Sequence, residues 1–275
     1  MRSAQSNMQK TAIHLLIFLC LFFGLWWSLS HVRFIELSHI DEISKDNERK
    51  IGNLIIDVLE ANHPEMEGEQ AKYLVDSLKE IITLKNNLKE KSTIYILKSD
   101  EINAFALPGN NLVIYSALIN YCKTPEELTG VIAHELAHIE HHHISKKLAK
   151  EIGLSALVSA ADKNVGSVIA KQLAQTITST GYDRAMEREA DKSAVEYVTK
   201  AQINREQLAN FLLRLSNEEK SAPTALEWFS THPDTKERVA DILSQSGGTP
   251  VSTAPILSDS LWQYVRTTLG TTRHK

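Results

Sequence analysis

The chain predicts an α+β fold, mainly helical with a small β-sheet, preceded by one N-terminal transmembrane helix, and three observations predict it. From Thr11 to Val32 there is no Asp, Glu, Lys or Arg. Over most of the remainder apolar residues recur at helical spacing, bounded by proline, glycine and capping residues. Two short runs rich in branched and aromatic residues, Thr93 to Lys98 and Leu112 to Tyr115, flank a segment with a turn-forming Pro-Gly-Asn-Asn and read as strands. About 245 residues follow the uncharged run, and with 43% apolar content they supply the core of one domain, residues 33–245, without needing a second.

The uncharged segment, residues 11–32, extends about 33 Å as a helix, enough to cross a hydrocarbon core, and Trp26 and Trp27 suit an interface. The rival is a cleaved signal peptide, but its apolar core is normally shorter, and Ser28 and Ser30 make a weak cleavage site. A retained anchor is the preferred reading. Arg2 and Lys10 precede the run, whereas Arg33 follows among Glu36, Asp41 and Glu42. This places the tail of residues 1–10 in the cytoplasm and the bulk outside it. In a two-membrane bacterium that means an inner-membrane protein with a periplasmic domain, or on the rival reading a protein secreted to the periplasm.

Behind the anchor, Asp46 to Leu59 and Gln70 to Leu88 read as helices, broken by His63-Pro64 and Gly68. After the strands, Thr124-Pro125-Glu126-Glu127 supplies an N-cap, a proline at the first helical position and acidic residues on the positive end of the dipole. From there Leu128, Val131, Ile132, Leu136 and Ile139 give the helix a buried side. Ile152 to Ile177 is apolar but carries Asp162, Lys163 and Lys171, so it reads as amphipathic helices packed over the core. Arg205 to Leu215 is a further helix. In residues 246–275, Ser246 to Pro250 marks a linker, and Leu257, Leu261, Trp262, Val265 and Leu269 form the apolar face of a C-terminal amphipathic helix. It docks on the domain, on a partner or on the membrane surface. Cys20 lies in the uncharged run and Cys122 near the capped helix, so no internal disulfide is expected.

The chemistry concentrates on that capped helix. His134-Glu135-Leu136-Ala137-His138 puts two imidazoles on one helical face, where they can share one metal ion, with the Glu135 carboxylate beside them as general base. A third ligand comes from Glu187-Arg188-Glu189-Ala190-Asp191. Glu187 is the candidate, and Asp191, one turn on, is placed to accept from the outer nitrogen of His134 and fix its tautomer. His141 and His142 are rival ligands by proximity but read better as a polar helix end. His143 sits half a turn from His134 in projection and should not face the same metal. The glycine three residues after His138 and the third histidine three beyond it that a three-histidine site requires are lacking, since those positions hold His141 and Ile144.

These residues imply one Zn2+ per chain. A net charge of −4 leaves no basic footprint for nucleic acid, and the eleven histidines cluster where a metal is expected. An edge strand near Ala104 to Asn111 would hold an extended peptide by strand addition, with Asn103, Ala104 and Phe105 as the candidate substrate-binding residues.

The chain resembles the zinc metallopeptidases that include HtpX, BepA, LoiP, the mitochondrial Oma protease and the CAAX prenyl proteases. The resemblance runs from about Thr93 to Leu243. It rests on Asn103 to Gly109, on His134 to His138 with His143 following, on Arg184 to Asp191, and on Thr231-His232-Pro233 with Arg238. It implies a zincin-like peptidase domain, Glu187 as third zinc ligand, and His232 as a catalytic residue near the metal that caps the site or stabilises the transition state. It also implies that Arg238 supports the ligands from outside the metal. The substrates it implies are membrane or envelope proteins, misfolded ones among them. The alternative is a catalytically weak or latent zinc-binding protein of chaperone or adaptor kind, and Glu135 separates the two, because a structural zinc site needs no general base. Oligomeric state is not legible.

Overall fold

The computed structural model describes residues 14–27, 44–89, 91–160, 166–218, 226–233, 235–245 and 255–271. A first helix, α1 (14–27), is exposed along its whole length. No helix among the described residues is long and apolar enough to cross a membrane, and positions 11–13 and 28–32 of the expected anchor lie outside them. The linker at Ser246 to Pro250 lies outside them too.

The domain opens with two amphipathic helices, α2 (Lys45–Asn62) and α3 (Glu69–Asn86). Ser44 caps α2 by accepting the Asn47 N–H at 3.2 Å, and α3 ends on Asn87 in the left-handed region at φ 53°. Between them Glu65 bridges Leu97. The sheet has three strands, β1 (Thr93–Leu97), β2 (Ala104–Leu107) and β3 (Asn111–Tyr115), in the order β1-β3-β2. β1 runs parallel to β3 and β2 antiparallel to it, with Ala104 opposite Ile114 and Leu107 opposite Asn111.

β2 is the edge strand expected near Ala104 to Asn111, although its own residues read as part of the connection between two strands. Alanine has little intrinsic strand preference, so Ala-Phe-Ala-Leu gives a weak signal. Pairing with β3 through the tight turn at Gly109 (φ 74°) and Asn110 (φ 62°) makes it a strand. That turn packs on α2 so closely that a Cβ on Gly52 would lie 2.1 Å from the Pro108 carbonyl oxygen. Only glycine fits there.

Strand alternation divides the core in two. Ile94, Ile96, Ala104, Ala106, Leu112 and Ile114 face the larger cluster, built with α3, α4 (Ser116–Tyr121), α5 (Pro125–Glu140), α9 (Arg184–Lys200) and α10 (Glu206–Glu218). Leu97, Phe105, Leu107, Val113 and Tyr115 face the smaller one, built with α2, α6 (His143–Ile152), α7 (Leu154–Ser159) and α8 (Gly166–Ser179). The amphipathic helices expected across Ile152 to Ile177 are thus α7 and α8, with Leu173, Ala174 and Ile177 in this core. Two short helices follow, α11 (Leu226–Thr231) and α12 (Thr235–Ser244). The last helix, α13 (Asp259–Thr271), buries Trp262, Val265 and Leu269 in the larger core, and the Trp262 indole donates to the Lys123 carbonyl at 3.2 Å. The C-terminal helix therefore docks on the domain. Cys20 and Cys122 are both free.

Candidate active site

α5 starts as its sequence dictates. Thr124 Oγ1 accepts the Glu127 N–H at 3.2 Å and Pro125 takes the first helical position. Glu127 reaches one residue further back than a capping box would, accepting the Lys123 N–H at 2.7 Å while paired with Arg214. So fixed, α5 runs through the middle of the larger core and carries His134, Glu135 and His138, all buried. α9 lies against it. Asp183 caps α9 by accepting from the Ala185 and Met186 N–H groups, which sets Glu187 and Asp191 on the face toward α5.

Four side chains converge. One ligand atom from each of His134, His138, Glu187 and His232 lies within 4.8 Å of the others. His134 Nε2 is 3.1 Å from His138 Nε2 and 3.7 Å from Glu187 Oε2. Glu187 Oε1 is 3.4 Å from His138 Nε2 and 3.1 Å from His232 Nδ1. Ligands of a tetrahedral zinc ion stand roughly 3.3 Å apart, given bonds of about 2.0 Å, so the donor set fits that ion in both kind and spacing.

The surroundings hold these groups ready. His134 Nδ1 lies 3.0 Å from Asp191 Oδ1, the pairing expected from the spacing of Glu187 and Asp191. Arg238 on α12 donates to both oxygens of Asp191, from Nε at 2.7 Å and Nη2 at 2.8 Å, and its Nη1 sits against Glu187 Oε2. Burial alone would raise the Glu187 carboxyl, but Arg238, His232 and His138 hold it well below the ordinary range. Burial would likewise raise Asp191, and Arg238 with His134 brings it down to about 2. Burial pushes His138 well below the usual imidazole value. Asp191 holds His134 up against burial, so of the ligand groups it is Glu187 and His138 that are shifted toward the states metal binding requires.

Glu135 is set apart from the ligands. Its Oε2 accepts the Ala106 N–H of β2 at 3.0 Å, whereas its Oε1 makes no hydrogen bond among the described residues and lies 3.4 Å from His232 Nε2. Burial raises its carboxyl above the usual value, against the pull of His232 and His134. A buried carboxylate with one oxygen held and one free suits proton transfer. His232 stacks on Trp228, with centroids 4.4 Å apart.

Of the expected substrate residues, Asn103 and Ala104 border this site and Phe105 turns away. Asn103 Oδ1 accepts from Thr231 Oγ1 at 3.2 Å, tying β2 to the segment that carries His232. The Ala104 carbonyl lies 3.3 Å from His232 Nε2. The Phe105 ring packs edge-on against Tyr115 in the smaller core, because neighbouring residues of a strand face opposite ways. His141 and His142 are not in the ligand group: His141 Nε2 is 2.8 Å from Ser193 Oγ, and His142 is the left-handed link (φ 53°) between α5 and α6.

That link also changes the place of His143. The projection that put it half a turn away assumed one continuous helix. The break at His142 instead brings His143 Nδ1 to 3.0 Å from His138 Nδ1. Tyr182, unmarked in the sequence, lies flat on His138 at 3.9 Å between centroids, its hydroxyl buried without a hydrogen bond among the described residues. Neither residue had a spacing signal, because both arrive by chain reversal.

Residues 69–246 match the profile of peptidase family M48, and the chain belongs to that family. Among its relatives, the beta-barrel assembly-enhancing protease of Yersinia pestis is 25% identical over 72% of this chain and 44% of its own length. The mitochondrial metalloendopeptidase OMA1 of Schizosaccharomyces pombe is 28% identical over 62% of this chain and 51% of its own. The metalloprotease LoiP of Escherichia coli K12 is 27% identical over 58% and 65%, respectively. The chain thus spans about half the length of several curated relatives.

Proposed function

We propose that this protein is a zinc-dependent metalloendopeptidase that hydrolyses peptide bonds of membrane or envelope proteins, misfolded ones among them. The observation that carries the reading is the convergence of His134, His138 and Glu187, whose nearest donor atoms lie 3.1–3.7 Å apart, with the Glu135 carboxylate beside them. Zinc held by these three residues would polarise the scissile carbonyl and lower the pKa of water at the site. Glu135 takes the proton from the attacking water and returns it to the departing amine. Asp191 and Arg238 keep the ligands oriented and charged. Substrate is held by strand addition along the edge strand β2, through the outward carbonyl of Ala104, which His232 Nε2 now meets, while Asn103 ties that strand to the segment bearing His232.

His232 caps the donor set in a latent form. In support, it stands within the ligand group, and all four donors are at most 1% exposed, so a peptide enters only after the segment bearing His232 moves. Residues 11–32 anchor the chain, with residues 1–10 in the cytoplasm, the catalytic domain of residues 33–245 in the periplasm, and residues 246–275 as linker and docked helix.

The test is zinc content and casein hydrolysis by the full chain in detergent, beside Glu135→Gln. Stoichiometric zinc in both with cleavage by the unaltered chain alone supports the reading. Zinc in both and cleavage by neither, even with His232→Ala added, would point to a structural metal.

A further inference from the structure

We propose that His143 and Glu189 form a proton relay that fixes the metal-binding tautomer of His138, which makes His143 a positioning residue of the site. The inference rests on the zinc reading above, and it follows from counting protons along three contacts. His138 Nε2 points at the ligand group, 3.4 Å from Glu187 Oε1. Its other nitrogen, Nδ1, lies 3.0 Å from His143 Nδ1, and His143 Nε2 lies 3.2 Å from Glu189 Oε2. Both imidazoles are buried, whereas Glu189 is about half exposed.

Only one neutral arrangement satisfies both outer contacts, and it leaves the inner one, where His138 Nε2 meets Glu187 Oε1, as two acceptors for a metal to bridge. A carboxylate accepts only, so the proton of His143 sits on Nε2 and points at Glu189. His143 Nδ1 is then a bare acceptor. His138 must donate to it from Nδ1–H, which leaves Nε2 with a free lone pair, as a metal requires. Had His143 its proton on Nδ1, His138 Nδ1 would become the acceptor and its proton would move to Nε2, where the metal is to bind. A metal-ligating histidine usually hands its outer N–H to a carboxylate, a carbonyl or water. His134 follows that pattern with Asp191. His138 has a second imidazole in that place, and the carboxylate one step further out.

The relay is built by the chain reversal at His142, whose left-handed backbone (φ 53°) ends α5 and starts α6 at His143. Glu189, two residues after Glu187 on α9, faces away from the metal and meets the outer nitrogen of His143. Its other oxygen lies 3.5 Å from His141 Nδ1. One short stretch of α9 therefore supplies the ligand Glu187, the partner of His134 and the far end of the relay to His138.

The test uses two amides that differ only in where they put the acceptor. Asn places its side-chain amide at the position of Nδ1, and Gln places it near Nε2. In the full chain, zinc affinity by chelator competition is expected to stay within about threefold for His143→Asn and to fall roughly 10–100-fold for His143→Gln and His143→Ala. Melting of the metal-free forms shows whether each variant folds. For Glu189→Ala, on the surface and safe for folding, a smaller loss is expected. In the unaltered zinc-loaded chain, nitrogen-15 chemical shifts should show His143 protonated at Nε2 and bare at Nδ1. Equal affinities for the folded Asn and Gln variants, or a proton on His143 Nδ1, would overturn the relay alone. No zinc bound by the unaltered chain would overturn the site reading and the relay with it.

Discussion

The Ala106 backbone N–H, on the outward edge of β2, donates to Glu135 Oε2 at 3.0 Å, so the strand proposed to hold substrate also aims the proposed base. A charge-assisted hydrogen bond of this kind contributes about 1.5–3 kcal/mol. Ala106→Pro removes the donor, and because that N–H faces away from β3 no ladder bond is lost with it. The expected result is a fall in kcat of roughly 10–100-fold with zinc content unchanged. Unchanged kcat in a correctly folded variant would show that Glu135 does not depend on this strand.

Arg238 is the cation that makes two buried carboxylates tolerable. Arg238→Met leaves Asp191 and Glu187 without their cation, and breaking such a buried pair costs about 3–5 kcal/mol. In a domain of this size that lowers Tm by roughly 10 °C, measurable by thermal melting. Arg238→Lys keeps the charge but not the two-pronged contact with Asp191, so an intermediate loss is expected. A Tm within 2 °C or so of the unaltered protein for Arg238→Met would contradict this.

How much of this was legible beforehand depends on the distance along the chain. The cap at Thr124, the pair His134 and His138, and the one-turn step from Glu187 to Asp191 are set by helical geometry, so spacing alone located them. The apolar faces of α3, α5 and α13 were legible for the same reason. β2 was legible only as an edge strand near Ala104 to Asn111, without its bounds, because Ala104 to Leu107 becomes a strand through its partner. His143 and Tyr182 were not, because a left-handed residue at His142 and the turn after α8 bring them back to His138; the first turn has no glycine or asparagine, and Gly181 in the second marks a turn without saying where it leads. The place of His232 came from the family resemblance; nothing in the local pattern of Thr231-His232-Pro233 points at a metal.

Stability of the metal-free chain should depend on acid through two of the buried imidazoles. Burial holds His143 down to about 4, from an ordinary 6.5. Between those values the unfolded chain binds the proton and the folded chain does not, so stability rises with pH across the window. The contribution is fully present above 6.5 and lost as pH falls to about 4. His138, also held down by burial, acts with the same sign. Glu135, raised by burial, and His134, held up against burial by Asp191, act against it, gaining stability as pH falls through their folded values. Melts in chelator at pH 7.5, 6 and 5 should show a falling Tm, with part of the slope removed in His143→Asn. A Tm that rises on acidification would reverse the account.

His232→Ala should raise the rate of casein hydrolysis with zinc still bound, if His232 caps the site as proposed. Removing one of four donors opens a coordination position and frees the segment that closes over it. A lower rate with zinc retained would assign His232 to transition-state stabilisation instead.

The anchor is checked by alkaline extraction of cell membranes. The full chain should stay with the bilayer at its full mass of 30.8 kDa. A shorter, extractable species would establish cleavage after the apolar segment.

The central claim is that one zinc ion is held by His134, His138 and Glu187, and metal counting on the purified full chain tests it most directly. The account predicts one zinc per chain for the unaltered protein and for Glu135→Gln, and a loss of most of it in His138→Ala and in Glu187→Ala. Zinc that persists undiminished in folded His138→Ala, or is absent from the unaltered chain, would contradict it.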